Sequence, residues 1–210
     1  MTNKSLTNEL LFEYASGTTN MAKSLLVSTY FYLNTSSKGA YEFFEGYLGN
    51  QFDKVNKVHP KNLKAVDCIS DSKIDSNLKI NKNINPLNSF IPNIKWEKVF
   101  KGFYEYQFTL SDNENVKLIK MEPEARVPLH SHNGKEYILV LEGSFCDENG
   151  IYKKGDLQIN DSNITHTPEA CKNEGCICLT ITEKELVFFG RFAPILNIIT
   201  FVKSIFKGKN

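Results

Sequence analysis

The sequence lacks any stretch of about 18 uninterrupted apolar residues, so no membrane span is expected. The nearest candidate, residues 188–206, is broken by Arg191, Pro194, Asn197 and Lys203. It is expected to supply a last strand and then a C-terminal segment packed on the preceding domain. The N-terminus lacks a basic stretch followed by an apolar run, so no signal peptide is expected and the protein is placed in the cytoplasm. An excess of one charge is also missing: 25 Lys+Arg face 24 Asp+Glu, which excludes a whole-molecule basic field for direct nucleic-acid binding. The five cysteines are odd in number and follow no leader, so free thiols in a reducing compartment are expected rather than a disulfide framework. Histidine is scarce, with four in 210 residues, and three of them fall in one part of the chain.

What is present divides into zones. Residues 1–72 begin with helical spacing: Leu6, Leu10, Leu11 and Tyr14, with Thr7 as a candidate cap, then Met21–Leu33 with Leu25, Leu26, Tyr30 and Leu33 on one face. Ser16–Asn20 interrupts the two. A third short helix is expected around Tyr41, Phe44 and Tyr47, and another over residues 62–69 after Pro60. Together they suggest a small helical bundle. Residues 73–92, rich in Lys, Asn, Ser and Asp, are expected to be a linker. Residues 93–192 change character, with short alternating runs over 116–121, 136–141, 157–159 and 176–182 between turn signals. That spacing predicts an antiparallel barrel or jelly roll. Residues 193–210 would pack on it.

The barrel zone carries a metal-ligand constellation. His130 and His132 sit at i and i+2, so on a strand both imidazoles project from one face. Glu136 follows four residues later, and His166 arrives from a distant strand. Three imidazoles and a carboxylate suit Zn, Fe, Mn or Ni, and ligand type alone does not choose among them. A strict two-residue hairpin at Asn133-Gly134 would pair Ser131 with Glu136 and turn the carboxylate away. A ligand role for Glu136 therefore requires a loop spanning Asn133–Lys135, or a bulge, that sets Glu136 across from His132.

Pro128-Leu-His-Ser-His-x3-Glu136-x6-Gly143 and Gly155-Asp156-x9-His166-Thr-Pro168 resemble the two cupin motifs, with Glu124 standing where the family usually has glycine. Leu139-Val-Leu-Glu-Gly-Ser-Phe-x-Asp147-Glu148, Tyr152-x2-Gly155-Asp156 and Gly175-Cys-Ile-Cys-Leu179 resemble ChrR-type anti-sigma factors more closely. So do Leu10-Leu11-x2-Tyr14-Ala15-x-Gly17 and Leu25-Leu26-Val27-x-Thr29 near the N-terminus. The resemblance implies an α+β, mainly β protein: a C-terminal cupin (double-stranded β-helix, or jelly-roll barrel) with a small N-terminal helical bundle. It implies one divalent metal in the cupin, zinc first, and an extracytoplasmic-function sigma factor as partner, released under singlet-oxygen-like oxidative stress. A homodimer is compatible with it.

The family's helical domain usually binds its own zinc through an early His and a His-x3-Cys-x2-Cys run. Here Ser5 occupies the first position, and Tyr30, Asn34 and Ser37 occupy the run, so no zinc is expected in this half. Packing must replace it, with Tyr30 contributing buried aromatic area worth about 2 kcal/mol. Any signal would then enter through the cupin.

Other residues carry weaker expectations. Cys176 and Cys178 share a strand face, either as small apolar wall residues or in a redox or accessory-ligand role. Trp96 and Phe100 are expected to cover the barrel core, and Glu142 and Asp156 to be turn acids, with orientation of the histidines as the alternative. His59 is expected in a solvated loop. No nucleophile or acid/base set accompanies the histidines. The competing readings are a metal-dependent cupin enzyme of dioxygenase type and a small-molecule sensor.

Overall fold

A computed structural model describes residues 4–35, 91–109, 115–191 and 193–198, together with Gly39, Glu42 and Gly46. The third helix expected around Tyr41, Phe44 and Tyr47, the helix over 62–69, His59, Ser37 and nearly all of the linker lie outside the described residues. So does the chain after residue 198.

Helix α1 (Asn8–Ala15) starts where Thr7 accepts a hydrogen bond from the Leu10 amide at 3.2 Å, as the capping expectation has it. It ends at Ser16, and Gly17 follows in the left-handed region at φ 70°. Helix α2 (Met21–Leu33) is capped by Asn20, whose side-chain oxygen accepts from the Lys23 amide at 2.9 Å.

The rest is a β-barrel of two facing sheets. The larger contains β1 (Glu97–Phe100), β2 (Phe103–Gln107), β3 (Asn115–Met121), β10 (Cys176–Thr182), β5 (Glu136–Asp147) and β6 (Gly150–Lys153) in that order. Strands β7 (Leu157–Asn160) and β9 (Glu169–Ala170) also pair with β5. The smaller sheet is β11 (Leu186–Phe188), β4 (His130–His132) and β8 (Thr165–His166).

Strand β5 runs six residues past the expected 136–141. Gly143 sits inside it at φ 68°, and a Cβ there would lie 2.1 Å from the Gly175 carbonyl oxygen. Only glycine lets the two backbones approach so closely. The strand bends there: residues 136–139 pair with β7, whereas residues 144–147 pair with β6. The same strand thus serves two parts of the barrel.

Period-2 alternation divides the larger sheet into two faces. Tyr137, Leu139 and Leu141 on β5, Leu179 and Ile181 on β10, and Val116 and Leu118 on β3 point outward. They share one core with Leu10, Leu11, Leu26, Val27, Tyr30 and Phe31 of the helices. Ile138 and Val140, Cys176 and Cys178, and Met121 face the barrel interior with Phe145 and Tyr152. Trp96 borders the helix-side core, while Phe100 stacks on Phe103 at 4.7 Å beside the inner one, so the pair straddles two cores rather than covering one.

Candidate metal centre

The four constellation residues converge. Their nearest ligand atoms all lie within 4.8 Å of one another, and all four side chains are buried. His130 and His132 project from β4 into the barrel. Residues His130 and His166 are directly paired across β4 and β8, which sets their Nε2 atoms 3.1 Å apart. Glu136 Oε2 lies 2.8 Å from His132 Nε2 and 3.6 Å from His166 Nε2. Ligands held at about 2.0 Å from a tetrahedral ion stand roughly 3.3 Å apart, so these separations suit one ion.

The loop expectation is half right. Three residues, Asn133–Lys135, do separate β4 from β5. They form no hairpin, because β4 pairs with β8 and β11 while β5 pairs within the larger sheet. Gly134 is not in the left-handed region that a type I′ turn demands. Glu136 therefore meets His132 across the interior, from one sheet to the other, rather than as a cross-strand neighbour.

Each imidazole is aimed by what its other nitrogen does. His130 Nδ1 is 2.8 Å from the Pro128 carbonyl oxygen, and His166 Nδ1 is 2.8 Å from Asp147 Oδ2. Each Nδ1 donates there, which leaves Nε2 facing the cluster. His132 Nδ1 is buried without a hydrogen-bond partner, and its Nε2, equally buried, faces the cluster with only the Glu136 carboxylate nearby and out of hydrogen-bond geometry. A buried imidazole without a partner is costly in a folded protein, and a cation at the centre would satisfy it. On that observation the residues fit a metal.

Burial pushes the His130 pKa down to about 4 despite Glu136 nearby. Burial acts the same way on His166, but the hydrogen bond to Asp147 and the nearby Glu136 carboxylate outweigh it and raise the pKa to about 9. Burial would raise Glu136; the adjacent His132 and His166 imidazoles prevail and hold it well below the usual carboxylate range. Asp147 is likewise held low against burial by His166 and Gln158.

Asp156 follows the turn-acid reading, and neither it nor Glu142 follows the orienting one. Glu142 is exposed beyond the outer face of β5, and Asp156 accepts the Lys153 amide in a surface turn and lies 3.6 Å from Lys4. Neither touches a histidine. Asp147, Gln158 and Asn160 do this work: Gln158 donates to Asp147 at 2.7 Å, and Asn160 donates to Glu136 at 3.1 Å. Gln158 and Asn160 alternate with Leu157 and Ile159, so two polar residues at the inward positions of an apolar strand were the available signal. Cys176 and Cys178 lie in the inner core, where the Cys176 thiol and burial push the Cys178 thiol well up and keep it protonated.

Residues 93–184 match the ChrR cupin-like domain. The chain is 27% identical over 201 residues to the anti-sigma-E factor ChrR of Cereibacter sphaeroides, covering 91% of this chain and 94% of that protein. It also superposes on a chain of the crystal structure of Rhodobacter sphaeroides SigE in complex with the anti-sigma ChrR. That match has a TM-score of 0.71 at 26% identity, covering 86% of this chain and 99% of the other. An RmlC-like cupin protein of Ralstonia eutropha JMP134 matches 52% of this chain and 82% of its own, at 16% identity and a TM-score of 0.41. Among the described residues no helix is long and apolar enough to cross a membrane. The barrel is thus a ChrR cupin-like domain, and the chain resembles a ChrR-type anti-sigma factor along most of its length.

Proposed function

We propose that this protein is a cytoplasmic anti-sigma factor that holds an extracytoplasmic-function sigma factor through its N-terminal helices and carries one divalent metal, zinc first, on His130, His132, Glu136 and His166. The observation that carries this reading is the extent of the likeness to ChrR, which includes the helices as well as the barrel. The four ligands would tie β4, β8 and β5 together, so an ion there supplies a cross-link between the two sheets. Asp147 and the Pro128 carbonyl hold two imidazoles ready for it, and Asn160 holds the carboxylate.

Substitution of the family's N-terminal zinc ligands does not remove this function. Tyr30 is buried in the helix–barrel core with its ring 6.2 Å from Phe31, edge to face. Asn34, in place of a zinc-binding cysteine, donates to the Gly155 carbonyl oxygen at 2.8 Å and so pins the end of α2 to the barrel. Release of the partner, under oxidative stress of the singlet-oxygen kind, would then start from the cupin.

Co-expression with a sigma factor encoded beside the gene, followed by capture of either protein, tests the proposal. Co-purification that survives in the native protein and is lost when an exposed helix position such as Phe12 becomes Glu supports it. Clean separation of two folded proteins at micromolar concentration sinks it. A small-molecule sensor is the second reading, favoured by the apolar cavity beside the cluster.

A further inference from the structure

We infer that the barrel interior is a binding site for a neutral, mostly apolar small molecule of about benzene size that meets the metal centre with at most one oxygen donor. The inference deepens the metal reading above and rests on it for the charge count. A cavity of about 180 Å³ opens beside His130 and Glu136. An apolar cavity of about 150 Å³ is enough to take benzene. The walls are Phe103, Ile119, Met121, Ile138, Phe145 and Cys178. At the mouth stand Phe188 and Leu196. Leu196 lies on a helical turn, residues 193–198, which Asn197 fastens to β11 by accepting the Phe188 amide at 2.8 Å and donating to its carbonyl at 3.1 Å. The surroundings of the mouth are apolar too: Val99, Phe189 and Ile195 are exposed. A molecule arriving there leaves water before it reaches the centre.

The charges in and around the cavity select against an anion. A divalent ion contributes two positive charges, and Glu136 and Asp147 together contribute two negative ones. Lys117 and Glu105, 2.7 Å apart on the cavity wall, cancel each other. Glu185 at the mouth adds one further negative charge. An incoming carboxylate would be stripped of water with no unpaired side-chain cation among the described lining residues to meet it, which is unfavourable in an apolar site. A cation would face the metal ion itself. An apolar body loses only its contact with water, and a single alcohol or carbonyl oxygen can turn toward the ion.

Three probes with one body and different heads test this: toluene, benzyl alcohol and benzoate, each titrated into the zinc-loaded full chain. Methyl resonances of Ile119, Ile138 and Met121 report occupancy by NMR. Toluene and benzyl alcohol should shift all three saturably, and benzoate should bind at least about tenfold more weakly. Ile119→Trp, which fills the cavity, should abolish the shifts of the two remaining reporter methyls, Ile138 and Met121, at unchanged zinc content. Leu196→Trp, at the mouth where a larger ring can turn to solvent, serves if the first variant does not fold and should weaken binding likewise. Benzoate binding as tightly as benzyl alcohol, no saturable shift with any probe, or undiminished binding in a folded cavity-filled variant would each overturn the inference. Zinc content is measured separately, so failure of the metal reading shows as missing zinc and failure of the cavity site as missing shifts.

Discussion

Asp147 decides which nitrogen His166 presents. With its carboxylate 2.8 Å from Nδ1, that nitrogen keeps its proton and Nε2 is left for the cluster. Asp147→Asn keeps the shape but lets the ring take the other tautomer, so zinc affinity should fall about 10–100-fold with the fold intact. Glu142→Gln, on the outside of β5, should leave it unchanged; competition with a chromophoric chelator measures both. The same pair fixes a proton. His166, raised to about 9, is charged near neutral pH when no metal is present, whereas His130 at about 4 is neutral. A ligand must be neutral to bind, so uptake at pH 7 should release about one proton, and affinity should rise with pH up to about 9. Titration calorimetry in buffers of different ionisation heat measures that release, and a value near zero would contradict the His166 assignment. The four clustered residues were legible because histidine is scarce and His130 and His132 sit two apart. Asp147, Gln158 and Asn160 were not. Their role depends on which face of β5 and β7 turns inward, and that follows from pairing partners many residues away.

At the scale of elements, α2 and β10 fall where periodicity places them, because each is one uninterrupted pattern ending in polar or turn residues. Strand β5 does not. Glu142-Gly143 looks like a terminator in sequence, yet the glycine is a bend within one strand, required by the Gly175 backbone 2.1 Å from its would-be Cβ. The expectation that Glu136 lies across from His132 on a neighbouring strand failed for a related reason: local turn chemistry cannot show that the chain is crossing between sheets. Glu124 is the opposite case, a position whose sequence oddity has a structural cost. It is the single described non-glycine residue with positive φ, 64°, where the cupin pattern has glycine. A left-handed side-chain residue costs about 1–2 kcal/mol, and the extra freedom of glycine in the unfolded chain returns about 0.5–1 kcal/mol of that. Glu124→Gly should therefore stabilise the protein by about 0.5–1 kcal/mol, read as a higher urea midpoint at unchanged slope. Its ion pair with Lys172, 3.7 Å apart and exposed, is too weak to reverse the sign.

At the scale of the molecule, the helices and the barrel are joined by more than a linker. Leu26 and Val27, fully buried, share one core with Leu118, Leu139 and Leu179. Asn34 bonds to Gly155, and the Lys4 carbonyl accepts the Leu157 amide at 3.1 Å. The outward face of β5 belongs to that core, while its inward face carries Glu136. A helical layer with a core of its own would unfold independently of the metal. A layer that shares its core with the barrel unfolds with it, as small cooperative units do. Binding of zinc to the folded state alone stabilises it by about 4 kcal/mol when free zinc is about 1,000 times the dissociation constant. The slowest-exchanging amides of α2 should gain protection on zinc loading by the same free energy as those of β10, although no residue of α2 is among the four ligands. Hydrogen exchange on the zinc-loaded and stripped protein makes the comparison. Equal gains would mean that the state of the cupin metal is felt in the helices proposed to hold the sigma factor. Protection in α2 that ignores zinc, while β10 responds, would mean that the shared core is too weak to couple them, and that no signal entering through the cupin could reach the partner by this route.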